Sequence, residues 1–496
     1  MIQIKRYLFA GIATAVLATG FNGCTESYLD TNSHAGVPTD DALSTPGLIK
    51  SALTGVYNNL FHYRFAGNYA ISIGDIPTDV SYWNTKTGHW SKLYRYSIDD
   101  TESYLDDIWE YGYQIVDNSA RIIQAANAQL PKADEKNKVV LNQYLAEAYA
   151  LRAYANLVMV NVFAHQVKVN GQDFSAQLGL VISELPIPAK TKVSRSTVGE
   201  TYTHIVSDLK KSLAAFKAAD GDREDKCYIG IAATTGLLAR TYLYLEDWSN
   251  AKTYAQQALD KAGITALTYT KADYKSLYNG GASNTESMFY LDINETQNWS
   301  SNSSGTLWTT YNFSPSPKLR KMYASTDVRT AVQTWAGTST DAAPVYGGGK
   351  FAAFRTGNPA NATHYLVNAP EMFLILAEAN IKLSKLSDTQ SALLTVARRN
   401  TAITSTAQLP QTLTALYSFL KDERARELFQ EGFRLWDLRR WGDKASVEAY
   451  GAPEVKFRAT GYDISNLVYP IPSSEINAGF GVQQNTDWHK TLPVVR

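Results

Sequence analysis

Hydrophobic residues recur every three to four positions along most of the chain, which is the spacing of one helix face. In each of two stretches, 105–163 and 196–262, this spacing predicts a pair of such helices, and the two stretches are degenerate repeats. Tetratricopeptide units have this form, because their helices bury their apolar faces on neighbouring helices. The pattern therefore predicts a mostly α-helical scaffold of tetratricopeptide-like pairs, with helices near 46–62, 105–127, 138–163, 198–216, 229–245, 249–262, 370–384, 388–401 and 411–438.

Residues 264–368 break this helical pattern. Gly, Asn, Ser, Thr and aromatic residues dominate there, which predicts loops. A loop-rich stretch of this length inside a helical body usually carries function. After residue 445 the chain shows short strand-like and turn segments. We expect an N-terminal region over 46–265 and a C-terminal region over 266–496, the latter including a large irregular, aromatic-rich part.

The first residues have the order of a secretory signal peptide. Lys5 and Arg6 precede an apolar run over 7–20. This run is shorter than the roughly 18 residues of a spanning helix, so a retained membrane anchor is the weaker interpretation. We predict a signal peptide over 1–23.

A cysteine follows this segment directly. Gly23-Cys24 resembles the lipobox of bacterial lipoproteins, in which the cysteine is acylated, although Phe21 and Asn22 depart from the usual pattern. We predict lipid on Cys24 and a flexible polar tether over 24–45. The alternative is ordinary cleavage that leaves Cys24 as an unmodified thiol.

Composition excludes several classes of protein. Lys+Arg and Asp+Glu are both 47, and this balance does not produce the basic field of a nucleic-acid binder. The two cysteines exclude a disulfide framework and a four-cysteine metal site. Aromatic residues are abundant, with 31 Tyr, 17 Phe and 10 Trp, and surfaces that bind ligands by stacking are rich in Tyr and Trp.

Catalytic and metal-binding motifs are weak in this sequence. The seven histidines form no H-E-x-x-H pattern or close pair, which makes a zinc site improbable. There is no G-x-S-x-G elbow, and the GGGK at 347–350 lacks the rest of a phosphate-binding loop. The spacing of Asp292, Asn294, Thr296 and Asn298 resembles a calcium loop without its Gly and terminal Glu. We therefore predict a protein that is not an enzyme.

Residues 423–442, ERARELFQEGFRLWDLRRWG, interleave acids and arginines. Glu423, Glu427 and Glu431 lie at i, i+4 and i+8, on one face of a helix. Paired carboxylates also act in glycosidases, but acids beside arginines are usually ion-paired and deprotonated. We interpret the acids as an ion-pair ladder, worth a few tenths of a kcal/mol per exposed pair. Two tryptophans of this segment are expected to pack against the helices: Trp436 and Trp441.

The same segment closely resembles the hallmark of the SusD/RagB family, the surface nutrient-binding lipoproteins of Bacteroidetes. Other motifs of that family follow in the same order: ALTGVY at 52–57, LRAY at 151–154, SDL at 207–209, PEMFLILAEA at 370–379 and YPIP at 469–472. One departure is TDW at 486–488, where the family usually has Pro-Gly-aromatic. The resemblance covers essentially the whole mature chain and implies the SusD-like fold.

Two polar loop segments, 75–90 and 294–311, concentrate aromatic residues. A sugar ring has an apolar C–H face and an edge of hydroxyls, so a flat aromatic surface among polar side chains suits it. The ligand site of the SusD family resembles this arrangement. The alternative is that each tryptophan fills a gap over the helical body. We predict ligand contacts from Asp75, Tyr82, Trp83, Asn84, Trp90, Trp299, Trp308 and Trp335.

The resemblance also implies a role. It predicts a lipid-anchored, surface-exposed protein of the outer membrane that captures an oligosaccharide and delivers it to a SusC-like TonB-dependent transporter. No nucleic acid is expected as a partner and no cofactor is required; calcium, conceivable in some relatives, has no support in this sequence. The alternative within the family is a RagB-like peptide-binding protein, which would favour charged or backbone-reading sites over Trp-flanked Asn/Ser loops.

Overall fold

Helices form most of the chain in the computed structural model, which describes residues 42–83, 87–311, 313–338, 344–445, 462–463 and 467–492. The predicted signal peptide, Cys24, the tether up to residue 41 and Asn84 lie outside these ranges. The helices are α1 Pro46–Phe61, α2 Tyr69–Ser72, α3 Ser91–Arg95, α4 Ser103–Gln129, α5 Glu135–Phe163, α6 Val198–Ala218, α7 Ile231–Tyr244, α8 Trp248–Ala262, α9 Lys271–Ser276, α10 Ser304–Thr309, α11 Pro317–Met322, α12 Ala369–Lys382, α13 Leu386–Ala397, α14 Leu413–Glu427, α15 Arg434–Trp441, α16 Ser473–Ala478 and α17 Trp488–Thr491.

Strands are short and pair two by two. They are β1 Ser81–Trp83, β2 Lys168–Val169, β3 Gln172–Asp173, β4 Ser287–Leu291, β5 Phe313–Pro315, β6 Trp335–Ala336, β7 Val345–Tyr346, β8 His364–Asn368, β9 Lys444–Ala445 and β10 Tyr462–Asp463. All the pairs are antiparallel: β1 with β5, β2 with β3, β4 with β8, β6 with β7 and β9 with β10. The predicted mostly α-helical fold is confirmed.

The long helices stack in sequence, each on the next. Contacts join α4 to α5, α5 to α6, α6 to α7 and α7 to α8, and α12 then packs on α8 and α13. Small residues allow the close approach: a Cβ on Gly112 of α4 would lie 2.3 Å from the Met159 sulfur of α5. Ala251 and Ala255 of α8 are fully buried. These contacts are the helical-pair scaffold that the periodicity predicts.

Buried ion pairs connect successive helices of this scaffold. Arg152 of α5 donates to Asp208 of α6 with a Nε–Oδ2 distance of 2.7 Å, and both side chains are fully buried. The Arg240 guanidinium of α7 donates to both carboxylate oxygens of Glu371 of α12, at 2.6 and 2.7 Å. A buried charge without its partner is costly, so these pairs restrict how the helices can be placed.

The central region consists of loops joined by three strand pairs, β1–β5, β4–β8 and β6–β7. In the β1–β5 pair, Tyr82 lies opposite Ser314, which ties the N-terminal loops to the central ones. In the β4–β8 pair, Tyr290 lies opposite Tyr365. The described helices and strands between residues 264 and 368 are all six residues or shorter. The expected loop-rich character of this region is therefore confirmed.

The single helix predicted over 411–438 is wrong. The structure has α14 and α15, separated by a turn in which Gln430 and Gly432 have left-handed φ values of 68° and 79°. A Cβ on Gly432 would lie 2.6 Å from the carbonyl oxygen of Ile71. The turn therefore packs directly against the backbone of α2, an approach that only glycine permits.

Glu423 and Glu427 are buried and bound to distant arginines, and Glu431 is partly exposed and bound to Lys350 at 2.6 Å, so the expected exposed ladder is corrected. Arg329 donates to Glu423 at 2.7 Å and to Glu427 at 3.0 Å, and Arg399 lies 3.3 Å from Glu427. Burial alone would raise the pKa of Glu423, but the charges of Arg329 and Arg426 lower the pKa to about 2. The expected ion pairing and deprotonation are confirmed for Glu423.

Helix α15 is held to α12 and α14 by a second buried set of charges. Arg424 donates to Asp437 at 2.7 Å, and Arg440 donates to Asp437 and, at 2.6 Å, to Glu378. The indole N–H of Trp441 donates to the same Glu378 carboxylate at 2.8 Å. Trp441 and Trp436 are buried, which confirms that they pack against the helices.

We predict that Gly432→Ala destabilises the protein much more than Gly442→Ala. Both glycines are left-handed, so each alanine costs about 1–2 kcal/mol in backbone strain. At Gly442 the new Cβ would lie 3.5 Å from a Val169 methyl group, an ordinary contact, whereas at Gly432 it would meet the Ile71 carbonyl. We expect a further loss of roughly 2–3 kcal/mol for Gly432→Ala, measured by urea unfolding. Equal losses for the two variants would show that the turn is not tightly pressed on α2.

Candidate functional site

Most of the residues predicted to contact a ligand have no exposed surface for it. Five of them are only 1–5% exposed: Asp75, Tyr82, Trp83, Trp90 and Trp308. The polar composition of these loops predicted exposed side chains, but the pairing of β1 with β5 packs the loops on the core. The Trp308 ring, for example, lies 5.1 Å from Phe429 and 6.2 Å from Phe313. The prediction that these five side chains contact a ligand is corrected, because they are buried.

Asp75 has a structural role at the turn between α14 and α15. Its carboxylate accepts hydrogen bonds from the backbone N–H groups of Gly432, at 3.0 Å, and Arg434, at 3.2 Å. Asp79, four residues on, forms a bidentate pair with the Arg434 side chain at 2.7 and 2.8 Å. Both acids thus join the N-terminal loops to the hallmark segment rather than facing a ligand.

Trp299 and Trp335 are the predicted tryptophans that stay partly exposed among the described residues. Trp335 lies on β6, and its ring centre is 6.5 Å from that of Tyr323. Trp299 lies in the loop before α10, where its ring contacts Phe61, His62 and Tyr63. The structure therefore places the two tryptophans in different surroundings, and only Trp299 belongs to a larger aromatic cluster.

This cluster, here called the aromatic patch, joins three parts of the chain. The end of α1 and the loop after it contribute residues 61–63, α2 and α4 contribute three tyrosines, and the central region contributes one tryptophan. All of its side chains are partly exposed. Its members are Phe61, His62, Tyr63, Tyr69, Tyr104, Tyr111 and Trp299.

His62 lies at the middle of the patch. Its ring stacks on Tyr111 with 4.4 Å between centres and 20° between planes, and it lies 4.5 Å from both Tyr63 and Trp299. Tyr69 meets Tyr104 edge to face at 4.9 Å. Spacings of 4.5–7 Å are those of favourable aromatic pairs. The rings therefore support one another and present a continuous aromatic surface.

Buried Trp90 supports this surface from below. Its ring stacks on Tyr104 at 4.5 Å with 25° between planes, and it meets Tyr69 edge to face at 5.5 Å. Trp90 is 3% exposed. This predicted ligand residue is therefore positioned to hold two patch tyrosines rather than to contact a ligand.

Hydrogen bonds fix the central loop against the loop that follows α1. The indole N–H of Trp299 donates to the Phe61 carbonyl oxygen at 2.9 Å. The Asn68 amide donates to the Asn302 carbonyl at 2.7 Å and accepts from the Ser304 hydroxyl at 3.0 Å. These bonds orient the Trp299 ring on the patch without using its exposed face.

One ion pair lies among the aromatic rings. Arg64 Nε is 3.4 Å from Asp107 Oδ1, and the guanidinium carbon lies 5.7 Å from the ring centres of both Tyr63 and Tyr111. Burial raises the pKa of Asp107 to about 6, against the opposing charge of Arg64. Burial and Arg64 both lower the pKa of His62, so its imidazole is neutral at pH 7. The patch thus combines flat rings with one strong donor and one acceptor.

Sequence reasoning missed every member of the patch except Trp299. A usable signal was the run of aromatic residues that directly follows the first helical pattern, at 61–65. A second was the seven-residue spacing of Tyr104 and Tyr111, which puts both on one face of α4. Local sequence patterns do not show that residues near 61, 104 and 299 come into contact in the folded chain.

The structure also assembles a group of metal-type side chains that the sequence spacing did not reveal. Ligand atoms of Glu184, His204 and Asp208 lie within 4.8 Å of one another. Arg152 already donates to both oxygens of Asp208, and Lys211 Nζ lies 3.2 Å from both oxygens of Glu184. Two cationic groups would repel a metal ion there, so these residues do not fit a metal site.

Two family models match the chain. One, described as starch-binding associating with outer membrane, matches residues 27–243, and the model of the SusD family matches residues 356–488. The chain belongs to the SusD/RagB family. No curated protein matches this sequence. The described helices include none with the length and hydropathy of a membrane-spanning segment.

Solved structures of the SusD superfamily share this fold. One from Bacteroides thetaiotaomicron has 22% identity and a TM-score of 0.77, covering 89% of this chain and 99% of its own. One from Bacteroides vulgatus has 21% identity and a TM-score of 0.76, with 90% and 99% covered. A SusD-like carbohydrate-binding protein from the same organism has 21% identity and a TM-score of 0.69, with 82% and 86% covered. At these identities the likeness concerns the fold alone.

We predict that the stability lost in Asp75→Asn depends on pH. Burial raises the pKa of Asp75 to about 7, although backbone N–H groups oppose this, while the unfolded value is 3.8. The native protein therefore binds a proton that the unfolded chain releases, and wild-type stability falls as pH rises from about 4 to 7. The asparagine variant lacks this dependence. Its deficit should shrink by about 2 kcal/mol between pH 5 and pH 8 in urea unfolding.

Asp79→Asn is the matched control for this experiment. Burial would raise the pKa of Asp79, but Arg434 and Lys318 hold it well below its usual range. This carboxylate stays ionised from pH 5 to pH 8 in both states, so its loss should cost the same throughout. A constant deficit for Asp75→Asn as well would contradict the assignment of a buried, proton-binding Asp75.

Proposed function

We propose that this protein is a cell-surface glycan-binding lipoprotein that captures an oligosaccharide on the aromatic patch and passes it to a SusC-like TonB-dependent transporter of the outer membrane. The observation that carries the proposal is the patch itself, seven partly exposed aromatic side chains that surround an Arg–Asp pair. The family model described as starch-binding associating with outer membrane supports the same class of ligand and the same location.

The chemistry of the patch suits a sugar chain. The C–H face of a pyranose ring packs on a flat aromatic face, while its hydroxyls need groups that donate and accept at the edge. Trp299 and Tyr111 both contact His62 and supply aromatic faces, and Arg64 and Asp107 supply the polar edge. A shallow surface of this kind gives modest affinity, which suits a protein that must release its ligand to a transporter.

No chemistry beyond binding is proposed for this site. Arg64 pairs with Asp107, so the patch offers one carboxylate with a guanidinium beside it rather than the two facing carboxylates of a glycosidase. We therefore infer that the ligand leaves as it arrived. Saturable binding without product formation would support this, and turnover of a bound glycan would contradict it.

Trp299→Ala and Tyr111→Ala are expected to weaken glycan binding at least about fivefold. Each removes one aromatic face, and loss of such a face typically costs 1 kcal/mol or more. The measurement is isothermal titration with the best ligand from an array of plant, fungal and animal oligosaccharides that includes maltoheptaose. Trp248→Ala is the matched control, since Trp248 is also partly exposed but lies on α8.

The same titrations decide between the two ligand classes of the family. A peptide library tested in parallel should give no saturable binding. If peptides bind and glycans do not, the RagB-like alternative replaces this proposal, and the Arg64–Asp107 pair becomes the group that would hold a peptide. Unchanged glycan affinity in both patch variants would show that the site lies elsewhere.

The anchor is tested separately at Cys24. We expect wild-type protein to incorporate radiolabelled palmitate and to sediment with the outer membrane. Cys24→Ser should lose the label, because a serine side chain cannot form the thioether of a lipoprotein, and should appear in the soluble fraction. Labelled Cys24→Ser protein would contradict lipidation at this residue, and an unlabelled wild type would favour ordinary signal cleavage.

A further inference from the structure

A polar cavity of about 370 Å³ is lined in part by the segment that precedes Trp299. One wall is formed by Asp292–Thr296, and the others by residues 278–280, 353–356 and 361–363. Its volume is within the range of small-molecule sites. The cavity contains no member of the aromatic patch and none of the residues predicted from the sequence to contact a ligand.

One buried acceptor in the cavity wall lacks a partner. Asn361 is 6% exposed, and its amide N–H donates to the Thr356 hydroxyl at 3.2 Å. Its carbonyl oxygen, Oδ1, has no hydrogen-bond partner among the described residues. Buried polar atoms are almost always paired. This oxygen is therefore an unpaired acceptor on a residue that lines the cavity.

Charged groups of both signs line the cavity. Asp292 and Glu295 supply carboxylates and Arg355, which is exposed, supplies a guanidinium. A hydroxyl group both donates and accepts, so a ligand with several hydroxyls can use the carboxylates, the Asn361 oxygen and the guanidinium together.

The calcium-like spacing in this loop has another explanation. The Asn294 side-chain oxygen accepts from the backbone N–H groups of Thr296, at 3.0 Å, and Gln297, at 3.1 Å. The Asn298 oxygen accepts from the N–H of Ser300 at 3.1 Å. Both oxygens stabilise the turns of the loop and are not left for a cation. The chemistry of the cavity is therefore that of a neutral ligand with many hydroxyls.

The cavity and the aromatic patch are built on the same segment. Thr296 lines the cavity and Trp299 belongs to the patch, so their Cα atoms are at most roughly 11 Å apart. The turn Pro359–Asn361 also contacts the turn Ser300–Asn302 that follows Trp299. A single oligosaccharide is long enough to reach both places.

We propose that this cavity is a second carbohydrate subsite, which holds one sugar unit by its hydroxyls while neighbouring units stack on the aromatic patch. The inference rests on the proposed glycan-binding function. Asp292 and Asn361 accept hydrogen bonds from the sugar, and Arg355 donates one. Stacking is tolerant of sugar identity, whereas hydroxyl recognition is not, so the cavity determines which sugar is accepted.

The test compares cavity variants with a patch variant on one glycan. Asp292→Asn keeps the shape of the side chain, and Arg355→Ala changes an exposed residue, so both are expected to fold; thermal unfolding verifies this. Isothermal titration uses the oligosaccharide that binds wild-type protein best on the array. Each cavity variant should lose about tenfold in affinity, the usual effect of removing a hydrogen bond to a charged group. Asp388→Asn and Arg398→Ala, at exposed positions on and after α13, are the controls.

The outcomes separate this inference from the function on which it rests. Loss of affinity in Trp299→Ala together with both cavity variants supports the two-part site. Loss in Trp299→Ala alone leaves the glycan-binding function standing and overturns the second subsite. Binding of CaCl₂ that Asp292→Asn abolishes would assign the cavity to a cation instead. If no glycan binds the wild type, the proposed function fails and the subsite with it.

Discussion

The buried contact between the turn 428–433 and the loop after α2 is the constraint on which the rest of the structure depends. Gly432 lies against the backbone of Ile71. Asp75 accepts hydrogen bonds from two backbone N–H groups, those of Gly432 and Arg434. The side chain of Arg434 pairs with Asp79. Charges in such a place are costly when unpaired, so the contact admits few alternatives. It fixes a segment near the start of the chain to one near its end.

The positions of the residues in the aromatic patch depend on this contact. The segment from Phe61 to Tyr69 is held on one side by α1, which packs on α4 and α5, and on the other by Asp75. The central loop then attaches to this segment through the indole of Trp299 and the amide of Asn68. The aromatic patch is therefore positioned by the helices that carry four of its members and by this buried polar contact, and the central loop that carries Trp299 attaches to them.

Local sequence predicted the scaffold well because helix periodicity is a local property. The helices over 138–163 and 198–216, for example, are predicted from the spacing of their apolar residues. The exposure of aromatic residues was not visible in this way. Trp83 and Trp299 lie in similarly polar loops, yet strand pairing with residues 313–315 buries the first and leaves the second partly exposed. The burial of Glu423 likewise depends on Arg329, some ninety residues away.

The central claim is that the aromatic patch holds a sugar chain, and a crystal structure with a bound oligosaccharide tests it most directly. The account predicts a pyranose ring packed within about 4.5 Å of the Trp299 or Tyr111 ring, with a hydroxyl near Arg64 or Asp107. A sugar bound on another surface, with the patch uncovered, would contradict it.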